Sequence, residues 1–226
     1  MPLGLNGIVT EDRGNEPALW HHSVMTPSIT FTWHHTIPWN CLRAVWNGVV
    51  HGRHWDAIEA YLDLISASNV STIVRDLKNG NLTIDRDLLH TQLTWQGWNI
   101  VEGPGNEYRN DDPGEQFDGW SGAGMSGNQT ATLLAVKGLY DNCMRRIQQL
   151  PAAAGTNNIP NISAQDAKTV ATAMRGARHA LRGKQPVKWE EKMWFPVTEG
   201  RVDKSRPGIW YTKPVWRRRT AAEAIR

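Results

Sequence analysis

Cysteine is nearly absent: Cys41 and Cys143 are the only two in the chain. That excludes a disulfide framework and any cysteine-based zinc knuckle, and it fits a reducing compartment. Long apolar runs are missing too. Nothing approaches about 18 uninterrupted apolar residues, so no membrane span and no membrane partner is expected. The opening Met1-Pro2-Leu3-Gly4-Leu5-Asn6-Gly7 lacks both a basic start and an apolar run, so no Sec-type signal is expected. The expected location is cytoplasmic, or reached by a route that needs no N-terminal signal peptide.

What the chain has in excess is tryptophan, twelve in 226 residues. An indole is a large ring with one N–H that needs a partner. Most of the twelve are expected in the core and the rest on stacking surfaces. The net charge is only +3, but it is unevenly spread. Residues 1–150 carry 10 Lys/Arg against 16 Asp/Glu, and residues 151–226 carry 15 against 6. An acidic, histidine-bearing part joined to a basic one suits a protein that meets polyanions. The same asymmetry also suits two parts that attract each other.

The stretch that organises the rest is Ile29-Thr30-Phe31-Thr32-Trp33-His34-His35-Thr36-Ile37-Pro38. Apolar and polar residues alternate up to Trp33, the period of a half-buried strand. Two histidines close the strand, and Pro38 prevents it from continuing as a central ladder. Neighbours on a strand point to opposite faces, so one imidazole is expected toward a metal or the core and the other toward a cleft.

Residues 1–28, with Pro2, Pro17 and Pro27, read as an irregular lead-in carrying a second doublet, Trp20-His21-His22. After Pro38 the period becomes helical. Leu42, Val45, Trp46, Val49 and Val50 form one stripe, and Ile58, Tyr61, Leu62 and Ile65 form another. The two helices meet at His51-Gly52-Arg53-His54, with the glycine ending the first. Asp56, Glu59 and Asp63 fall on the wet face of the second. Shorter helices are expected at Val70 to Leu77 and Ile84 to Leu93. Trp95 to Pro104 reads as a short strand ended by Gly-Pro. The following run, Gly105 to Glu115, holds Asn106, Arg109, Asp111 and Asp112, which could bind metal or phosphate or simply brace their own turns.

A helix over Gln129 to Leu150 presents Leu133, Val136, Tyr140, Cys143, Ile147 and Leu150 as one stripe, which makes Cys143 core filler. Ser163 with Asp166 marks the start of a helix that ends before Gly183. Lys168, Arg175 and Arg182 repeat along it every seven residues beside Arg178, a basic stripe that is either a solvated face or a nucleic-acid contact. From Val187 onward short strands interleave tryptophans with lysines and arginines, closing on Arg217-Arg218-Arg219. Aromatics among cations suit nucleic acid.

Trp33-His34-His35-Thr36-Ile37-Pro38, with Asn99-Ile100-Val101 and Gly103-Pro104, resembles the HNH/endonuclease VII superfamily of ββα-metal nucleases, WHH- and AHH-type bacterial toxin nucleases included. These residues cover under a tenth of the chain. The resemblance implies an α+β fold: a ββα-metal nuclease core with a helical insertion over residues 29–150. A basic C-terminal segment, 151–226, with helices and a small Trp-rich β or irregular piece, would pack on it. It implies that His35 is the general base, that His34 ligates one divalent metal (Mg, Mn, Zn or Ni), and that Asn99 orients His35. Asn106 is the closest match for the remaining metal ligand, with Asp112 and Asp111 as stand-ins, and Arg109 would hold the scissile phosphate or stabilise charge as the bond breaks. Arg175, Arg182, Arg217, Arg218 and Arg219 would meet the nucleic acid, DNA ahead of RNA. A toxin-like effector of this kind would also have a cognate inhibitor or immunity protein.

A shorter alignment uses Asn47-Gly48-Val49-Val50 as the second strand and His54 as the closing ligand, at the expense of the helix over Leu42 to Val50. Outside the nuclease class, the chain reads as a non-catalytic nucleic-acid- or partner-binding protein working through its basic, Trp-rich C-terminal third. A histidine-using hydrolase or transferase of another substrate class is the remaining reading.

Overall fold

The computed structural model describes residues 3–10, 13–14, 16–17, 31–104, 127–184, 194–202 and 210–218. The order is β1 (Phe31–His35), α1 (Trp39–His51), α2 (Trp55–Leu64), α3 (Val70–Lys78), α4 (Arg86–Thr94) and β2 (Ile100–Pro104). Then come α5 (Gly127–Leu139), a π-helical turn (Tyr140–Met144), α6 (Arg145–Gln148), α7 (Ala164–Leu181), β3 (Trp194–Val202) and β4 (Trp210–Arg218). Because α5, the π turn and α6 run on without a break, the described residues form six helical rods and two antiparallel strand pairs.

The fold of the described residues is therefore mostly helical, with small antiparallel strand pairs. β1 does pair antiparallel with β2, with His35 opposite Ile100 and Phe31 opposite Pro104. The segment between them is helical, as expected, and its helices α1 to α4 supply much of the core. The reason is visible in α1, where Leu42, Val45 and Val49 are fully buried and Trp46 is 1% exposed. Each such side chain removed from water contributes roughly 1.5–3 kcal/mol, so a helix buried along this much of its length becomes a centre of the fold.

Pro38 sits at the N-cap of α1, where its missing N–H costs nothing. Gly52 follows the last turn, as expected, yet the left-handed residue is Arg53, with φ 55°. A Cβ at 52 would stand 2.4 Å from His54 Nε2, so a side chain there would displace that ring. The two expected shorter helices form as α3 and α4, the latter capped by Asp85, which accepts the Leu88 N–H at 3.0 Å. Ser163 caps α7, accepting from the Asp166 N–H at 3.1 Å.

In the C-terminal segment, Val170, Ala171, Met174 and Ala177 of α7 join the same core as α2. Asp56 and Asp63 of α2 are exposed, as expected, but not unpaired. Arg175 binds Asp56 through both terminal nitrogens, and Arg178 donates to the Ser66 hydroxyl at 3.0 Å with Asp63 at 3.8 Å. The attraction between acidic and basic parts is thus partly used inside the chain. β3 and β4 form a hairpin that sets Trp194 opposite Arg218 and Phe195 opposite Arg217.

The described residues of the lead-in are bound to the helices. Asn47 holds Val9 in both directions at 2.8 Å, the Trp46 indole donates to the Gly7 carbonyl at 2.8 Å, and the Leu82 N–H donates to the Leu5 carbonyl. No helix among the described residues is long and apolar enough to cross a membrane.

Asp76 of α3 organises the turn to α4. Only 4% of its side chain is exposed; it accepts from the Thr83 N–H at 2.9 Å, from the Thr83 hydroxyl, and from Arg75 at 3.0 Å. The Thr83 bonds first, and Arg75 after them, hold its carboxyl below the usual 3.8. A carboxyl depressed on folding stabilises the fold above its unfolded pKa, and that contribution is lost as pH falls through the folded value. Urea midpoints measured from pH 6 down to pH 2 should therefore fall less steeply in Asp76→Asn than in wild type, from a lower starting stability.

Candidate active site

His34 and His35 end β1, where the alternation placed them, and the chain then turns at Thr36 and Ile37 into α1. Asn99, one residue before β2, makes that turn. Its Oδ1 accepts the Ile37 N–H at 2.6 Å, its Nδ2 donates to the Ile37 carbonyl at 3.0 Å, and its own carbonyl accepts the Thr36 N–H at 2.6 Å. The side chain is wholly buried, so the low-dielectric surroundings leave those groups no water as an alternative. Asn99 thus stands beside the histidine pair but holds the backbone that follows it.

One imidazole is expected toward a metal or the core and the other toward a cleft; the cleft is what the burial corrects. His34 is 3% exposed and His35 6%. The alternation of a strand says that the two rings point apart, not what covers each side, and here both sides are covered. Over His35 lies the end of α4: its Nε2–H donates to the Thr94 carbonyl at 2.7 Å, and its ring lies 4.8 Å from that of Trp95 at 32°. A carbonyl only accepts, so this bond puts the proton on Nε2 and makes Nδ1 the basic nitrogen.

His90, not singled out from the sequence, is 1% exposed on α4, four residues before Thr94, with its ring 6.0 Å from that of Trp39. Thr94 and Trp95 were missed as well. Their role comes through a backbone carbonyl and a ring face, neither of which leaves a pattern in the sequence.

Of the other nominated residues, Asn106, Arg109, Asp111 and Asp112 lie outside the described residues, as do Arg219 and the Trp20-His21-His22 doublet. Arg217 and Arg218 end β4. Arg175 is ion-paired with Asp56, whose carboxyl that guanidinium pulls below its usual value, and Arg182 stands at the end of α7. The shorter alignment fails on geometry. Asn47 lies in α1 holding Val9, and His54 Nε2 lies 2.8 Å from the Ile162 carbonyl.

The divalent metal implied by the resemblance needs several donors together. His34 offers one borderline nitrogen, but among the described residues no three His, Cys, Asp or Glu side chains stand close enough to hold an ion. The oxygen donors nominated for it, Asn106 and Asp112, lie outside them. The described residues therefore do not by themselves make a cage, and no chemical step is routed through one.

No family model matches the chain, and no curated protein or solved structure matches it either. The reading of function rests on the site.

Neither cysteine belongs to that site. Burial, the dominant cause, pushes both thiols up to about 12 against the weaker pull of Arg145 on Cys41 and Arg146 on Cys143. The Cys41 thiol donates to Gln148 Oε1 at 2.7 Å. A thiol-reactive chromophore at pH 8 should leave both unlabelled in the native protein and label both in denaturant; rapid native labelling of either would contradict the assignment.

Proposed function

We propose that the chain is an endonuclease of the HNH/endonuclease VII kind that hydrolyses phosphodiester bonds in DNA, and in RNA as the second choice, and acts as a toxin-like effector. The single observation that carries this reading is the 2.7 Å contact between His35 Nε2 and the Thr94 carbonyl. With Nε2–H committed to the Thr94 carbonyl, Nδ1 is the nitrogen that carries the basic lone pair, and the residue ends a strand whose following turn is locked by Asn99. An imidazole suits the task because its ordinary pKa of about 6.5 lies near working pH. On this reading Nδ1 removes a proton from water, the resulting hydroxide oxygen bonds to phosphorus, the P–O bond to the leaving sugar oxygen breaks, and that oxygen takes a proton from solvent. A divalent metal, when bound, would polarise a phosphate oxygen and stabilise the leaving oxygen. The ββα-metal core belongs to the same proposal, with β1, β2 and a helix beyond residue 104 as its parts.

The near-complete burial of both imidazoles favours a second reading: the histidines are packing groups, and the basic, Trp-rich C-terminal third binds nucleic acid or a partner without catalysis.

One assay separates the two. Incubation with plasmid, single-stranded DNA and total RNA, with and without EDTA, should show cleavage that chelation stops and divalent metal restores. His35→Ala should lower it by roughly 100-fold or more. His35→Gln, which keeps a donor for the Thr94 carbonyl, should lose activity while remaining folded. Cleavage that persists in both variants would remove His35 from the mechanism.

Binding is tested apart from cleavage. Replacing Arg217, Arg218 and Arg219 by Gln should flatten the salt dependence of nucleic-acid affinity by about 0.9 in slope for each phosphate that is no longer neutralised. An unchanged slope would take the basic tail out of both readings.

A further inference from the structure

Residues 13–17 belong to the lead-in, to which neither composition nor motif gave a role, yet Gly14 and Pro17 hold both tryptophans that flank the histidine pair. The Trp95 indole, whose ring packs on His35, donates its N–H to the Gly14 carbonyl at 2.8 Å. The Gly14 N–H in turn donates to the hydroxyl of Thr94 at 3.1 Å, the residue whose carbonyl holds His35. One residue therefore ties, through its N–H and its C=O, Thr94 and Trp95, both of which contact the imidazole. On the strand side, Trp33, immediately before His34, donates its indole N–H to the Pro17 carbonyl at 2.8 Å. The Arg13 guanidinium lies 5.9 Å from the centre of the Trp95 ring, within cation–π range.

The fit at position 14 leaves no room for a side chain. A Cβ there would stand 2.6 Å from Thr91 Cα, 2.8 Å from Thr91 N and 3.1 Å from His90 C. All three are backbone atoms of α4, so no flexible side chain can swing aside. The start of the lead-in is anchored as well: Leu3 bridges Val9, and Asn47, Trp46, Leu82 and Arg86 each bond a carbonyl between residues 3 and 9.

We infer that Arg13, Gly14 and Pro17 form a strap that positions His35, with Gly14 as its positioning residue, acting through Trp95 and Thr94 rather than by touching substrate. The strap sets the direction of the Nε2–H bond and the tilt of the ring, and so decides where Nδ1 points. The inference rests on the nuclease reading for its catalytic consequence, but its geometric content stands apart from that reading.

The test is Gly14→Ala in the full chain, with Gly138→Ala as control, since a Cβ at 138 meets nothing nearer than Asn142 Nδ2 at 3.9 Å. Two readouts are taken: steady-state plasmid cleavage, and the ring ¹⁵N shifts of His35, assigned by their absence in His35→Gln. Gly14→Ala should lower kcat by about 100-fold with KM little changed, the effect of misplacing a reacting group by about 1 Å. Its His35 shifts should move from the Nε2–H pattern toward the tautomer average, and Gly138→Ala should match wild type in both readouts. Trp95→Phe covers the case in which Gly14→Ala does not fold. It keeps an aromatic ring against His35 while removing the N–H to Gly14, and should lower kcat roughly fivefold to tenfold with the same direction of shift. Wild-type kcat and wild-type His35 shifts in a folded Gly14→Ala or in Trp95→Phe would overturn the strap. If wild type cleaves nothing while the His35 shifts still respond to Gly14→Ala, the strap stands and the nuclease reading falls.

Discussion

The arrangement of the front part of the molecule depends on one carboxamide. Asn99 presents a donor and an acceptor to the two backbone groups of Ile37, and no other uncharged side chain but glutamine carries both on one planar amide. Because the clamp is fully buried, losing it would strand an N–H and a C=O in a place with no water. It joins the exit of β1 to the entry of β2, fixes where α1 begins, and so determines where His34 and His35 stop. The nearby contacts of Thr94 and Trp95 with His35 have meaning only because that turn does not move.

Tryptophan abundance acquires a physical explanation in part. Trp33, Trp46 and Trp95 each give their N–H to a carbonyl of the lead-in, at Pro17, Gly7 and Gly14. A segment with no periodicity of its own is thereby held by rings that are themselves packed in the body of the fold. The indole serves both ends of that arrangement, because its ring packs with the apolar groups while its single N–H reaches a main-chain acceptor.

Much of the local structure was legible in the sequence. The strand ending in the histidines, the helices after Pro38, the Ser163 cap and the burial of Cys143 all follow from period and capping chemistry, and the structure has each of them. What was not legible is what depends on distant partners. Alternation showed that His34 and His35 diverge, but not that Trp95 and the end of α4 cover His35. Charge spacing marked Arg175 as one of a stripe, but its carboxylate partner, Asp56, lies far away in sequence. That Asn99 clamps the backbone of Ile37 left no mark in the sequence, since a carboxamide satisfies a backbone turn as readily as an imidazole. Gly14 carries no sequence signal at all, because its reason is the closeness of another backbone.

The placement of the two strands has a consequence for how the protein is made. A chain leaving the ribosome amino end first exposes its histidine doublet well before residues 94–104, which must fold over it, have been synthesised. At about 5–20 residues per second that interval lasts on the order of several seconds. Closing so wide a span also makes the strand pairing a slow, late event compared with the local helices. The nascent protein therefore passes through a period in which its helices can form but its histidine doublet is still unassembled.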